Sequence, residues 1–301
     1  MEQRETLAGH GAMLLFAALI SVSFTLGDLA APHIAPAALT AARFALAAVV
    51  IGALAAPRMR WEHWRAAWRY VVVGGLLAMY FVTMFEALQR TNPVSTAAIF
   101  TLTPVMSAGF GWILMRQVTT GRMGVALGLG AIGALWVVFR GDVQAMLKLG
   151  LGPGEWIFLF GCALHALYAP MSRRLNRGEP LLVYTFGGIL GGLLVTGIYG
   201  GREVAATEWG ALPPVVWAAV VYLAVAATAV TFFLVQFATM RLPSAKVMAY
   251  GYLVPGFVIL WEGLLGHGWV ESTVFLGLGL TVTALVWLLK DQTVPSAKVT
   301  G

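Results

Sequence analysis

Read from the N-terminus, apolar residues come in blocks of about 20, set apart by short stretches rich in charge, proline and glycine. About 20 residues is the length an α-helix needs to cross a hydrocarbon core of about 30 Å. Cutting at the punctuation predicts ten helices, at 11–30, 36–55, 68–88, 94–114, 122–139, 154–173, 180–199, 213–236, 244–265 and 272–289. A soluble bundle would show a polar face at the helical period, whereas these blocks are apolar nearly all round. The pattern therefore predicts an all-α polytopic membrane protein with ten transmembrane helices, because a helix satisfies every backbone polar group within its own segment.

Composition strengthens this expectation. Of 301 residues 59% are hydrophobic and 11% charged, and mean hydropathy is +0.83, whereas a soluble domain carries about a quarter charged residues. The net charge of +6 is compatible with nucleic acid, but the bases sit in short loops between apolar blocks, not along one surface. Even the basic and aromatic loop PRMRWEHWR (57–65) fits a juxtamembrane segment better, so no nucleic-acid partner is expected.

The bases also orient the chain. With both termini inside, cytoplasmic segments hold Arg4, Arg58, Arg60, Arg65, Arg69, Arg116, Arg122, Arg173, Arg174, Arg177, Arg241, Lys246, Lys290 and Lys298, while external loops hold Arg90, Arg140, Lys148 and Arg202. Excess Lys and Arg marks the cytoplasmic side. Trp61, Trp64, Trp68, Trp156, Trp209 and Trp217 fall near the expected interfaces, where an amphipathic ring is comfortable. Cys162, the single cysteine, lies inside an apolar block, so neither a disulfide framework nor a cysteine-rich metal site is expected. The opening MEQRETLAGHG lacks an evident small-residue cleavage site and reads as the flank of a retained first span.

A shift of 151 residues lays TLTPVMSAGFGWIL (101–114) on YLVPGFVILWEGLL (252–265). Pro104 then meets Pro255, Arg90 meets Arg241, Ala98 meets Ala249, Leu127-Gly128-Leu129 meets Leu278-Gly279-Leu280, and Trp136 meets Trp287. At a slightly different shift GHGAMLLFAALI (9–20) lies over GPGEWIFLFGCA (152–163). We therefore expect two five-helix repeats, 1–145 and 146–291, followed by a cytoplasmic tail, 292–301. An odd number of spans per repeat inverts the second copy, an architecture by which transporters build a midplane site and expose it alternately.

Four stretches in this order resemble the EamA-type branch of the drug/metabolite transporter superfamily: AARFALAAVV (41–50), FEALQRTNPVSTAAIFTLTPV (85–105), ALYAPMSRRL (166–175) and YGYLVPGF (250–257). The resemblance covers nearly the whole chain and implies ten helices in two repeats. Members usually carry a Gly-Glu pair after the fourth and ninth helices, and here Met115-Arg116 and Gly266-His267 stand instead. In this the chain is similar to the subgroup that exports aromatic amino acids. That likeness implies export of amino acids, aromatic ones foremost, and of flat organic cations, by a self-contained monomer in a bacterial inner membrane.

Charges inside the bilayer cost about 2.5–3.5 kcal/mol each, which makes them functional candidates. Asp28, Arg43, Glu86 and Glu262 all fall toward the outer third of their helices, so one cation could meet three acids, as an external gate or as a structural ion-pair network. Glu262 has no counterpart in the other repeat and is expected to answer Arg43. Substrate-cavity candidates share helix faces: Tyr80 and Met84 on the third helix, Phe100 and Pro104 on the fourth, His165 and Tyr168 on the sixth, Thr228, Phe232 and Gln236 on the eighth, Gly251 and Pro255 on the ninth. Converging, they would form an aromatic and thioether-lined pocket suited to planar rings, with small polar groups for a head group. Equally, the same faces could be helix-packing seams.

An intramembrane enzyme and a channel or structural membrane component are the competing classes. No Gly-x-Ser-x-Gly or P-loop occurs, and Ser107, followed by Ala108 and Gly109, has no matched histidine. We expect no catalytic residue, no cofactor and no metal site, and, lacking paired midplane acids, a facilitator and not a proton-driven pump. Another metabolite or a drug-like organic cation remains an alternative cargo.

Overall fold

The computed structural model describes residues 2–116, 120–147, 151–242 and 244–290. Their regular structure is helical throughout: α1 (Glu2–Ala30), α2 (Pro36–Ala55), α3 (Trp68–Leu88), α4 (Pro93–Phe100), α5 (Thr103–Met115), α6 (Gly121–Val138), the short α7 (Val143–Leu147), α8 (Pro153–Leu175), α9 (Leu181–Ala206), α10 (Pro214–Ala224), α11 (Thr231–Thr239), α12 (Ser244–Ala249), α13 (Val254–Leu264) and α14 (Val274–Lys290). Among the described residues eight helical stretches are long and apolar enough to cross a membrane. The remaining two predicted spans are also helical, α8 and the 17-residue α14. The expected tail, 292–301, lies outside the described residues.

Both matched prolines interrupt their helices. Pro104 and Pro255 each occupy the second position of a new helix, where a missing N–H costs nothing. Thr101 and Leu102 separate α4 from α5, and a 3₁₀ turn at Tyr250–Leu253 separates α12 from α13. At the first break the Phe100 carbonyl, to which Pro104 has no N–H to offer, accepts from Thr103 Oγ1 at 2.5 Å, and Thr101 Oγ1 adds a bond to Ala98 O at 2.6 Å. A third irregularity was not legible in the sequence: six residues of π-helix, Val225–Val230, join α10 to α11.

Packing runs mainly between the two halves of the chain. The most extensive pairings are α3 with α9, α6 with α14, α3 with α8 and α2 with α9. They also come in exchanged pairs: α3 lies on α8 as α10 and α11 lie on α1, and α5 lies on α8 as α13 lies on α1. Glycines permit the closest crossings. A Cβ at Gly74 would collide with the Gly188 carbonyl of α9. At the α6–α14 seam a Cβ on Gly133 would lie 2.7 Å from Gly277 O, and one on Gly277 2.6 Å from Gly133 O. The other mates at a shift of 151, Ala126 and Ala284, are buried in the same cluster. Leu14, Val49, Ile113 and Ile198 face outward, as expected where the surroundings are lipid.

Candidate functional site

Aromatic side chains from both halves meet at the centre. From the first half come Phe24 of α1, Tyr80 of α3 and Phe100 of α4; from the second come Phe158, His165 and Tyr168 of α8 and Phe232 of α11. The Tyr80 ring lies 4.5 Å from His165 between centroids, and Phe100 lies 5.2 Å from His165. His165 continues to Tyr168 at 6.2 Å, and Tyr168 meets Phe232 edge-on at 5.6 Å. Phe24 closes the far side against Phe100 and Phe158. Gln236, one turn beyond Phe232, donates to Ser172 Oγ at 2.8 Å and to the Tyr168 hydroxyl at 3.3 Å. Gly251 keeps its face clear, since a Cβ there would stand 3.2 Å from the Phe100 ring. The predicted faces of Tyr80, Phe100, His165, Tyr168, Phe232, Gln236 and Gly251 are thus brought together. Met84 is buried in the same apolar core as these rings, and Pro104 and Pro255 are buried at the starts of α5 and α13.

The charged candidates fall into separate groups, which corrects the expected gate. Arg43 is fully buried on α2, and no carboxylate lies within ion-pair distance among the described residues. Its Nε donates to Thr228 Oγ1 and its Nη2 to Ala227 O, each at 2.9 Å, and its Cζ stands 3.6 Å from the Phe81 centroid. Thr228 is therefore a partner of Arg43 and not a member of the ring cluster. Glu262 does not answer Arg43: it accepts from Thr25 Oγ1 at 2.7 Å and lies 2.7 Å from His267 Nδ1. Asp28, half-buried, is in electrostatic range of Glu262 and His267. Glu86 pairs with Arg90 one turn on, at 2.6 Å, near the surface. Arg43 is met instead by the π turn, whose Ala227 carbonyl and Thr228 hydroxyl accept its hydrogen bonds.

The family model for EamA-like transporters matches residues 7–139 and matches again over residues 152–290. The chain belongs to the EamA-like transporter family. It is 26% identical over 227 residues to the "Uncharacterized transporter YyaM" of Bacillus subtilis (strain 168), a match covering 70% of this chain and 71% of that protein. A solved crystal structure, 20% identical, superposes with a TM-score of 0.70 over 95% of this chain and 96% of its own, so the fold is shared. As an EamA-like protein the chain is a multi-pass membrane transporter, which implies a small-molecule substrate and a surrounding bilayer.

Several residues of this EamA-like centre escaped the sequence reading. Phe158 and Ser172 belong to the stripe of His165 and Tyr168 on α8, so extending that helical spacing by two turns toward the N-terminus and one turn toward the C-terminus would have found them. Another missed feature is the buried pair of Arg69 and Glu179, where Arg69 also donates from Nη1 to Leu175 O at 2.6 Å, and Glu179 accepts from the Arg177 backbone at 2.8 Å. Burial of Glu179 works to raise its pKa, but the hydrogen bonds from Arg69 and the backbone outweigh it and hold the carboxyl below its ordinary value. Beside this pair a cleft of about 540 Å³ is lined by Pro57, Arg58, Met59, Arg60, His63, Gly178 and Pro180. It shares no residue with the ring cluster.

Proposed function

We propose that the chain exports small metabolites, aromatic amino acids foremost, by alternating access between two inverted five-helix halves, 1–145 and 146–291, with both termini in the cytoplasm. On this reading α8 and α14 complete ten spans. At 1.5 Å per residue α8 is long enough, and its hydropathy is lowered by Glu155, Arg173 and Arg174 toward its ends and by the buried His165 and Ser172 between them. The exchanged packing of α3 on α8 and of α10 and α11 on α1 supports the inverted pair, as do the family match in two blocks and the α6–α14 seam, where Gly133 and Gly277 have the buried Ala284 and Ala126 as their mates. The two helix breaks at Pro104 and Pro255 are the natural places for each half to bend. We place the chain in a bacterial inner membrane as a self-contained monomer.

The observation that carries the substrate class is the ring cluster. Tyr80, Phe100, His165, Tyr168 and Phe232 converge from both halves, and a planar ring entering among them would exchange stacked and edge-on contacts, each worth about 0.5–1.5 kcal/mol beyond burial. Gln236 and Ser172 supply hydrogen-bonding groups at its edge. A proteoliposome panel of aromatic, aliphatic and charged amino acids tests this. Saturable flux of aromatic amino acids with counterflow is expected. Strictly linear flux without counterflow would exclude a carrier, and movement of a quaternary ammonium or nucleotide sugar alone would exclude the aromatic chemistry. Uphill accumulation driven by a pH gradient would overturn the facilitator reading.

A further inference from the structure

Three buried polar atoms near the ring cluster have no hydrogen-bond partner: Arg43 Nη1, Tyr80 Oη and His165 Nδ1. They are not scattered. The Tyr80 and His165 rings are in contact at 4.5 Å, Tyr80 touches Phe81 at 4.9 Å, Phe81 carries the Arg43 guanidinium on its face at 3.6 Å, and Arg43 and Tyr80 lie in electrostatic range of each other. Unsatisfied buried polar groups are uncommon in native interiors, and each asks for a partner.

Arg43 asks for more than a hydrogen bond. The π turn gives its Nε and Nη2 a hydroxyl and a carbonyl, and Phe81 gives it a π face. These are neutral groups, which soften the charge without cancelling it; Glu86 and Glu262 are engaged with Arg90 and with Thr25 and His267, and Asp28 makes no ion pair with Arg43. A desolvated cation without a counter-charge is among the costliest arrangements a protein interior can hold. Its open Nη1 belongs to the same chain of touching side chains as the other two open valences, and a tyrosine hydroxyl and one tautomer of a histidine both donate. A cationic donor, a hydroxyl and an imidazole nitrogen that donates in one tautomer, beside a cluster of rings, match a carboxylate attached to a ring.

We propose that Arg43, Tyr80 and His165 form the subsite that receives the carboxylate of the transported solute, with Arg43 Nη1 as the charged donor. The inference rests on the reading of the ring cluster as the substrate site, and it names which end of the solute is recognised by charge. The solute's anion would supply the counter-charge that the chain itself withholds, so an amine of the same shape would be disfavoured on electrostatic grounds, standing as a second cation beside the first.

A panel of two acids and two amines separates the claims, with affinities measured by isothermal titration calorimetry on the full chain in detergent. The probes are 3-phenylpropionate, phenethylamine, propionate and propylamine. The subsite predicts that each acid binds more tightly than its amine. Arg43→Gln should weaken the acids by roughly ten- to a hundredfold, the range for a hydrogen bond to a charged group, and leave the amines unchanged. Tyr80→Phe, which keeps the ring, should weaken the acids by a few-fold. Acids that bind no better than amines to the natural protein, or no acid binding at all, overturn the subsite. So does an Arg43→Gln variant that weakens both classes alike. Should Arg43→Gln fail to fold, an unchanged acid affinity in Tyr80→Phe refutes the cluster as a unit. The aromatic reading has its own readout: if propionate binds as tightly as 3-phenylpropionate, the ring cluster is not the substrate site even where acids still beat amines.

Discussion

Alanine at Gly133 or Gly277 puts two effects of opposite sign in competition. By helix propensity alone, glycine to alanine inside a helix stabilises by about 1 kcal/mol. Here the new Cβ would stand 2.7 Å from Gly277 O in one variant and 2.6 Å from Gly133 O in the other, against 3.4 Å for an ordinary contact, so α6 and α14 must separate by about 0.7–0.8 Å. The opposing atoms are backbone and cannot swing aside. A gap of that size forfeits a quarter to a half of each dispersion contact along the seam, which includes Leu280, Thr281, Val137 and Trp136. Overpacking of this kind costs about 1–3 kcal/mol, and the rigid opponent puts it in the upper part of that range, leaving a net loss of about 1–2 kcal/mol. Gly128 and Gly279, mates of one another on the same two helices, have nothing within 4 Å of a Cβ. Their alanine variants should be neutral or slightly stabilised. At roughly 2 °C per kcal/mol for a large domain, thermal unfolding of purified protein in detergent should fall by about 2–4 °C for either seam variant and not fall for the controls. The double seam variant should cost less than the sum, because a separation that admits one Cβ admits the other. A seam variant as stable as Gly128→Ala would refute the close crossing, and full additivity would refute its reciprocity.

The Arg69 and Glu179 pair predicts a second stability effect. Glu179→Ala leaves a buried guanidinium group unpaired and should cost about 3–5 kcal/mol, read as a large fall in unfolding temperature. Because Glu179 is held below its ordinary value of 4.5, its contribution is full above that pH and is lost as pH falls through the depressed value. A pH series from about 7 to about 3 should therefore narrow the gap between natural protein and Glu179→Ala at the acid end, and a constant gap would argue against the pair. At the other end of the molecule, Glu262→Leu strands the Thr25 hydroxyl and the His267 ring and should destabilise by about 1–3 kcal/mol, with Glu262→Gln, which keeps an acceptor for Thr25, in between. Equal unfolding temperatures for Glu262→Leu and the natural protein would show that this cluster does not tie α1 to α13.

The sequence carried the fold where the physics is local. Apolar blocks longer than 17 residues translate directly into helices, and the paired Pro104 and Pro255 stand at both helix breaks inside the spans expected at 94–114 and 244–265, because proline removes a donor wherever it stands. Much of the ring cluster was legible too, since residues three and four apart share a face whatever the tertiary context. What failed depended on geometry that only packing creates. The predicted Arg43–Glu262 pair is absent because Val225–Val230 widens into a π turn and offers Arg43 two nearer acceptors, and nothing in VAATAV announces that turn. Arg69 and Glu179 were invisible for another reason: 110 residues apart, they meet only when α3 lies along α8.

The exchanged packing has a further consequence, for how the molecule is held together as a polymer. With α3 seated on α8 and α9, and α1 on α10, α11 and α13, neither half closes a core of its own. Each is the other's folding partner, so the chain is in effect an obligate heterodimer whose two subunits happen to be joined end to end. The peptide link between α6 and α8 is then a tether that raises the effective concentration of one subunit for the other, and two separately synthesised halves should assemble where either alone is degraded.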